Sequence, residues 1–85
     1  MDRIAVVSSN VCAVGYDPNL RVLEIEFGKD HPAGHKTNRV YQYLNVPQEV
    51  HQGLLESDSH GRFVHQRLID QFDFRYLGTV EEMEA

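Results

Sequence analysis

The spacing of apolar residues changes near position 46, and this change constrains the fold more than any other feature of the sequence. Before it, Leu23, Ile25 and Phe27 occupy alternate positions, which is the period of a β-strand with one buried face. Glu24 and Glu26 lie between them, so we expect both glutamates on the solvated face of that strand. After position 46 the apolar residues recur every three or four positions, which is typical of amphipathic helices. The sequence therefore predicts a strand region followed by a helix region.

Two more strands are predicted beside Leu23–Phe27. Val11–Tyr16 precedes it across Asp17-Pro18-Asn19, a sequence that favours a turn. Arg39–Leu44 follows it after the loop 28–38, which contains two glycines and a proline. Because the three strands are close in sequence, we expect them to form an antiparallel meander.

Two helices are predicted in the second half of the chain. Val46, Val50 and Leu54 share one face of the first helix. The polar segment 57–59 ends this helix and offers a cap for a second one, which runs to about Gln71.

These elements predict an α+β fold. We expect a three- or four-stranded antiparallel meander sheet with two helices packed on one face, in the order β-β-β-α-α. Phe74 and Tyr76 alternate with polar residues and predict a short last strand. Residues 1–80 should form a single domain with its core at about 8–77, and residues 81–85 an acidic C-terminal tail.

Composition predicts a small soluble protein of a reducing compartment. The 85 residues include one cysteine, Cys12, which cannot form an internal disulfide. The sequence shows neither a signal peptide nor a run of about 20 apolar residues, so we expect a cytoplasmic location and no membrane partner. The net charge of −5 argues mildly against broad affinity for nucleic acid, although Lys29 and Lys36 make the loop 28–38 locally basic.

No arrangement of residues predicts catalysis or a metal site. His31 and His35 are four positions apart, but Pro32 and Gly34 between them disfavour the helical geometry that would make this spacing useful to a metal. Ser59 stands beside a histidine but follows a helix, whereas the serine elbow of hydrolases follows a strand. We expect Ser59 to cap the second helix. The sequence therefore predicts no enzyme activity, no metal and no cofactor.

Tyr41 and Tyr43 lie on one face of the third strand, together with Arg39. Exposed aromatic rings beside basic groups form a platform on which unpaired bases stack. The alternative is that both rings cover the core and only their hydroxyls reach water, as is common for tyrosine in small domains. The spacing leaves both interpretations open.

An ordered set of motifs resembles the KTSC domain family across about residues 8–77. The Tyr-x-Tyr pattern of that family is matched by Tyr41 and Tyr43, and its Ser-x-Gly pattern by Ser59 and Gly61. Four further segments fall in the family's order: Ser8–Asp17, Leu23–Phe27, Val46-Pro47 and Phe72–Tyr76. The loop 28–38 departs from the family, because it is longer than the resemblance leads us to expect.

The resemblance implies a small α+β fold and an unassigned function. The family is named after a segment found at the C-terminus of some lysyl-tRNA synthetases, and it also occurs as stand-alone bacterial proteins. The synthetase fusion suggests an association with RNA.

Two functions from different classes follow from these observations. The first is a non-catalytic, RNA-associated binding module whose face consists of Arg39, Tyr41, Tyr43, Lys29 and Lys36, with single-stranded RNA or a tRNA-related molecule as partner. The second is a protein-interaction or homo-oligomerisation module in which the same face packs against another chain. The exposure of the two tyrosine rings distinguishes a core role from either binding role.

Overall fold

The computed structural model describes all 85 residues, most of which belong to five strands and three helices. The strands are β1 (Ile4–Ala5), β2 (Val11–Asp17), β3 (Val22–Phe27), β4 (Arg39–Tyr43) and β5 (Phe74–Thr79). The helices are α1 (Gln48–Glu56), α2 (His60–Arg67) and α3 (Val80–Glu84). None of the helices has the length and apolarity that a membrane crossing requires.

The strands form one antiparallel sheet in the order β1-β2-β3-β4-β5, so each strand pairs with its neighbours in sequence. The predicted α+β fold with a meander sheet is therefore confirmed. The sheet has five strands rather than three or four. The segment before β2 adds β1 to one edge, and β5 pairs with β4 at the other.

The helices α1 and α2 pack on one face of the sheet, as predicted. Leu23 and Ile25 of β3 meet Val50 and Leu54 of α1 and Val64 of α2 in the core, where each is at most 8% exposed. Burying a side chain of this kind contributes about 1.5–3 kcal/mol. This apolar layer is therefore what holds the helices to the sheet.

Helix α2 ends at Arg67, one turn earlier than the sequence predicts. The backbone N–H groups of Leu68 and Ile69 both donate to the carbonyl of Val64, and Asp70 has a left-handed φ of 66°. Aspartate tolerates this conformation better than most residues do. Leu68 still enters the core, whereas Ile69 remains 37% exposed.

Glu24 and Glu26 are buried, so the prediction that they face water is wrong. They lie on the face of β3 opposite the helices and are only 3% and 2% exposed. The direction of the alternation is as predicted, because Leu23 and Ile25 belong to the core under the helices. The prediction failed because the N-terminal segment and the loop 28–38 cover the second face of the sheet.

Arg3 pairs with both buried carboxylates. Its guanidinium donates to Glu24 Oε2 at 2.5 Å and to Glu26 Oε1 at 3.1 Å. Gln42 donates from Nε2 to the other oxygen of Glu24 at 2.9 Å. Gly15 lets the N-terminal segment lie this close to the sheet, because a Cβ there would collide with the backbone of that segment.

The loop 28–38 is fixed to the sheet through the second carboxylate oxygen of Glu26. The N–H of Gly34 and the side-chain amide of Asn38 both donate to Glu26 Oε2 at 2.7 Å. Gly28, which directly follows β3, makes room for the Asn38 side chain, because a Cβ at this position would collide with the Asn38 amide. These contacts hold the loop in a defined position.

The acidic segment 81–85 contributes most of helix α3. Its first turn carries a capping box, in which Thr79 Oγ1 accepts from the N–H of Glu82 and Glu82 Oε1 accepts from the N–H of Thr79. The bond from the Thr79 backbone N–H to the Glu82 carboxyl lowers the pKa of that carboxyl, and the Thr79 side chain lowers it further. The N–H of Glu81 donates to the carbonyl of Lys36, which connects α3 to the loop before β4.

Candidate nucleic-acid interface

On the face of the sheet that packs against the helices, the part near β5 is left uncovered. Phe74 and Tyr76 of this edge strand are 62% and 46% exposed. The strand register places Tyr76 opposite Tyr41 and Phe74 opposite Tyr43. Four aromatic residues from two neighbouring strands therefore share one face of the sheet.

A cleft of about 390 Å³ opens on this face, and we call it the aromatic cleft. It is lined by Phe27, Arg39, Tyr41, Tyr43, His65, Ile69, Asp70 and Phe74. Its volume and its mostly apolar wall with a few polar groups are typical of sites that bind small molecules or parts of larger ones.

Tyr41 is at the centre of the aromatic contacts in this region. Its ring centroid lies 4.9 Å from that of Tyr76 and 5.8 Å from that of Phe74. On its other side, the ring of Phe27 makes an edge-to-face contact at 5.8 Å and 77°. Aromatic pairs in such geometries are favourable, so the rings hold one another in place before any ligand binds.

Tyr43 belongs to the core rather than to an open platform. It is 5% exposed and packs in the same apolar cluster as Leu23 and Val46. Burial raises the pKa of its hydroxyl, and the neighbouring Tyr41 raises it further. Of the two interpretations of the tyrosine pair, the core role holds for Tyr43, while Tyr41 is only half-buried.

A second cleft, of about 360 Å³, adjoins the first, and we call it the cationic cleft. It is lined by Asn10, Phe27, Gly28, Lys29, His31, Thr37 and Arg39, with no carboxylate among them. Lys29 and Arg39 form no ion pair, since all ion pairs in the structure are those of Arg3. Phe27 and Arg39 line both clefts, which therefore share a wall.

His31 is oriented in the cationic cleft by Asn38. The amide nitrogen of Asn38 donates to Glu26 and to the carbonyl of Pro32. Its amide oxygen is therefore the acceptor for Nδ1 of His31, 3.3 Å away. The imidazole also stacks on His35, with ring centroids 3.9 Å apart. This arrangement leaves Nε2 of His31 without a partner in the protein.

The Cys12 thiol packs against the backbone of the loop 28–38 and is not part of a cluster of metal-binding side chains. No group of three His, Cys, Asp or Glu side chains lies close enough to hold a metal ion. The Cys12 Sγ lies 3.3 Å from the carbonyl oxygen of Gly28 and 3.1 Å from that of His31, so its one S–H can donate to either. Burial raises the pKa of this thiol, and the Glu26 carboxylate raises it further. The protonated thiol thus anchors two residues that line the cationic cleft.

Three of the residues that the sequence singles out lie outside both clefts. Lys36 lines neither cleft, so Lys29 is the one lysine at the candidate interface. Ser59 caps α2 as predicted, because its hydroxyl accepts from the N–H of Arg62 at 3.2 Å. Gly61 is the second residue of α2.

Sequence reasoning missed Phe27, His65, Ile69 and Phe74 as cleft residues. A signal for Phe74 was present in its alternation with Tyr76, but the sequence did not say which strand it would pair with. Nothing in the sequence pointed to His65 and Ile69, because their place beside the sheet depends on where α2 ends.

The fold and the two clefts define the class of protein. It is a small α+β domain in which a five-stranded antiparallel meander carries two helices on one face, and an aromatic cleft adjoins a cationic one. The sequence profile of the KTSC domain matches residues 7–72. The chain belongs to the KTSC domain family.

The chain is also similar to three individual proteins, one of which carries the name of the family. A crystal structure of a KTSC domain protein from Yersinia pestis superimposes with a TM-score of 0.77 at 36% identity, covering 91% of this chain and 97% of that one. An uncharacterized protein from Stutzerimonas stutzeri strain A1501 is 42% identical over 66 residues, which are 78% of this chain and 82% of that protein. A protein from Tsukamurella paurometabola is 42% identical over 60 residues, or 71% and 78% of the two chains.

Proposed function

We propose that this domain is a non-catalytic module that binds single-stranded RNA in the aromatic and cationic clefts. The observation that carries the proposal is the shared wall: Phe27 and Arg39 line both clefts, so aromatic rings and unpaired cations lie side by side. A nucleic-acid strand offers the complementary pair of groups, a base with a π-face and a phosphate.

The aromatic cleft suits a base that is not paired. Phe74 is largely exposed and Tyr41 is half-buried, so both present ring surface for stacking. A duplex hides its bases, and recognising it requires a broad surface that contacts phosphates and 2′-hydroxyls across a groove. The net charge of −5 does not favour a broad basic surface. A tRNA-related partner would therefore bind through unpaired nucleotides.

The charges at the clefts predict a shallow dependence of affinity on salt. Lys29 and Arg39 line the cationic cleft, whereas Lys36 does not. Each phosphate contact with a single strand contributes roughly −0.7 to the slope of log affinity against log salt. Two contacts should therefore give a slope of about −1.4.

Fluorescence anisotropy with a labelled, mixed-sequence RNA oligomer at low salt tests the proposal. Phe74→Ala should weaken binding by about 1–3 kcal/mol if one base stacks on this ring. Because Phe74 is 62% exposed, the variant should keep its fold. Leu20→Ala is the matched control, since Leu20 is 69% exposed and lines neither cleft.

Tyr43 is unsuitable for this test, because it is buried in the core. Removing a large aromatic side chain from a core costs about 3–5 kcal/mol of stability, so loss of binding would be confounded with unfolding. Binding that falls in Phe74→Ala and persists in Leu20→Ala supports the proposal. No binding by the unmodified domain up to roughly 100 μM, where non-specific binders register, overturns it.

A second candidate function, self-association, is favoured by the position of β5. This strand is at the edge of the sheet, so its outer N–H and C=O groups have no neighbouring strand. Exposed edge strands readily pair with other chains, and the exposed Phe74 and Tyr76 are residue types enriched at interfaces. A concentration-dependent dimer in sedimentation velocity, weakened by Tyr76→Ala, would favour this candidate. A monomer at all concentrations would exclude it.

We also propose that the protein is bacterial and cytoplasmic and that it catalyses no reaction. The free thiol of Cys12 is typical of a reducing compartment, and the family occurs in bacteria. The non-catalytic role is supported by the engagement of Ser59 in a helix cap and of His60 Nδ1 with the carbonyl of Leu54 at 2.9 Å.

A further inference from the structure

We infer that the cationic cleft is a phosphate site and that the two clefts together hold the terminal nucleotide of an RNA strand, with a nucleoside monophosphate as the smallest complete ligand. This inference rests on the proposed function and specifies which unit of the RNA the clefts recognise.

The cationic cleft has the donors that a phosphate requires. Lys29 and Arg39 carry full charges with no ion pair in the protein. Nε2 of His31 is free, and the bond from its Nδ1 to Asn38 fixes the ring. Nε2 accepts in the neutral ring and donates only in the protonated imidazole, so Lys29 and Arg39 are the charged donors that the cleft supplies. A phosphate has several oxygens that can accept such charge-assisted hydrogen bonds at the same time.

The adjoining aromatic cleft distinguishes a nucleotide from a free anion. Inorganic phosphate would leave the aromatic wall empty, and an uncharged nucleoside would leave Lys29 and Arg39 without a partner. Each cleft has a volume of about 360–390 Å³, which lies at the small end of ligand pockets. One phosphate on Arg39 and one base against Tyr41 and Phe74 would use both clefts and their shared wall.

The end of the aromatic cleft that is farthest from the cationic cleft disfavours a longer RNA strand. There a third depression, of about 450 Å³, is lined by Asp70, Gln71, Phe72, Asp73 and Phe74. Asp70 and Phe74 also line the aromatic cleft, so the two depressions are adjacent. A second phosphate placed beyond the base would meet two carboxylates, and like charges repel. The strand should therefore enter from the cationic side and end with its base in the aromatic cleft.

Titration of the ¹⁵N-labelled domain with four small probes tests the phosphate site. The probes are adenosine 5′-monophosphate, adenosine 3′-monophosphate, adenosine and inorganic phosphate. One of the two monophosphates should bind at least roughly tenfold more tightly than adenosine, which lacks the charge-assisted hydrogen bonds of the phosphate, and than inorganic phosphate, which lacks the stacking of the base. The better of the two shows which end of the strand is recognised. Equal binding of that monophosphate and adenosine would overturn the phosphate site.

Two lysine variants provide a matched comparison within one loop. Lys29→Gln removes a charge that lines the cationic cleft, whereas Lys36→Gln removes the same charge outside it. Both lysines are exposed and unpaired, so both variants should fold. Lys29→Gln should lower the affinity for the preferred monophosphate about tenfold, and Lys36→Gln should leave it unchanged. Equal losses would mean that only net charge matters and would also overturn the phosphate site.

A circularised RNA oligomer separates terminal recognition from binding along the strand. If the clefts hold a terminal nucleotide, the linear oligomer should bind and the circular one of the same sequence should not. Equal binding of both would refute terminal recognition while leaving the proposed function in place. A monophosphate that binds when neither oligomer does would refute the proposed function and leave the nucleotide site standing. Absence of binding by every probe would refute both.

Discussion

Replacing Arg3 with methionine isolates the role of its charge on the outer face of the sheet. Methionine keeps an unbranched apolar stem but removes the guanidinium that donates to Glu24 and Glu26. The side chains of these glutamates are only 4% and 2% exposed, whereas that of Arg3 is 19% exposed. The variant therefore leaves two carboxylates buried without a cationic partner.

The expected loss of stability is about 3 kcal/mol. Removing one partner of a buried ion pair costs about 3–5 kcal/mol, and the partial exposure of Arg3 places the loss near the lower end. A domain of 85 residues has a total stability of roughly 4–13 kcal/mol at 0.05–0.15 kcal/mol per residue. At about 4–8 °C per kcal/mol for a domain of this size, Tm should fall by roughly 12–24 °C.

Urea denaturation and differential scanning calorimetry measure the loss, and two comparisons identify its cause. Arg75→Met is the control for loss of an exposed, unpaired arginine and should change stability by less than about 0.5 kcal/mol. In a background carrying Glu24→Gln and Glu26→Gln, Arg3→Met should cost only about 1–2 kcal/mol, the value of its two hydrogen bonds to uncharged partners. The same cost in both backgrounds, or a loss below about 1 kcal/mol in the natural one, would refute the reasoning.

Three further predictions concern titratable side chains. Burial lowers the pKa of His51, so the unfolded chain binds a proton more readily than the folded one. The free energy of unfolding should therefore fall as the pH drops from about 6.5 through the lower pKa of the folded state. In urea midpoints measured between neutral and mildly acidic pH, His51→Gln should flatten this decline. Iodoacetamide should alkylate Cys12 far more slowly in the folded than in the unfolded protein, because burial and then Glu26 raise its pKa; similar rates would contradict its placement. A chelator should leave Tm unchanged, whereas a fall reversed by zinc would indicate that His31 and His35 bind metal.

The sequence was sufficient to predict which residues of β3 and α1 pack against each other on the helix side of the sheet. Alternation predicted which residues of β3 meet the helices, and the four-residue spacing predicted which residues of α1 meet them in return. The burial of Glu24 and Glu26 could not be predicted, because glutamate alternates with apolar residues in the same way whether its charge is solvated or paired. Their partner Arg3 is 21 and 23 positions away in sequence, and no local pattern connects residues at that distance.

The candidate site was predicted in part. The shared strand face of Arg39 and Tyr41 followed from the period of a strand, and the basic character of Lys29 followed from composition. The cleft itself arises from the pairing of β5 with β4 and from the early end of α2, which are tertiary features. Whether Tyr43 is core or surface was equally beyond the sequence, since it depends on which part of the face the helices cover.

The crossing of Arg3 over Gly15 sets an order in which the fold can be completed. Arg3 is synthesised before Glu24, Glu26 and Gln42, yet its guanidinium has no fixed place until those residues have joined the sheet. Strand β1 has two residues, both exposed, so little apolar surface holds it. We therefore expect the segment that carries Arg3 to be the last part of the sheet to be immobilised and the first to detach. Such a detachment would admit water to the outer face of β3, while the layer beneath the helices would stay dry.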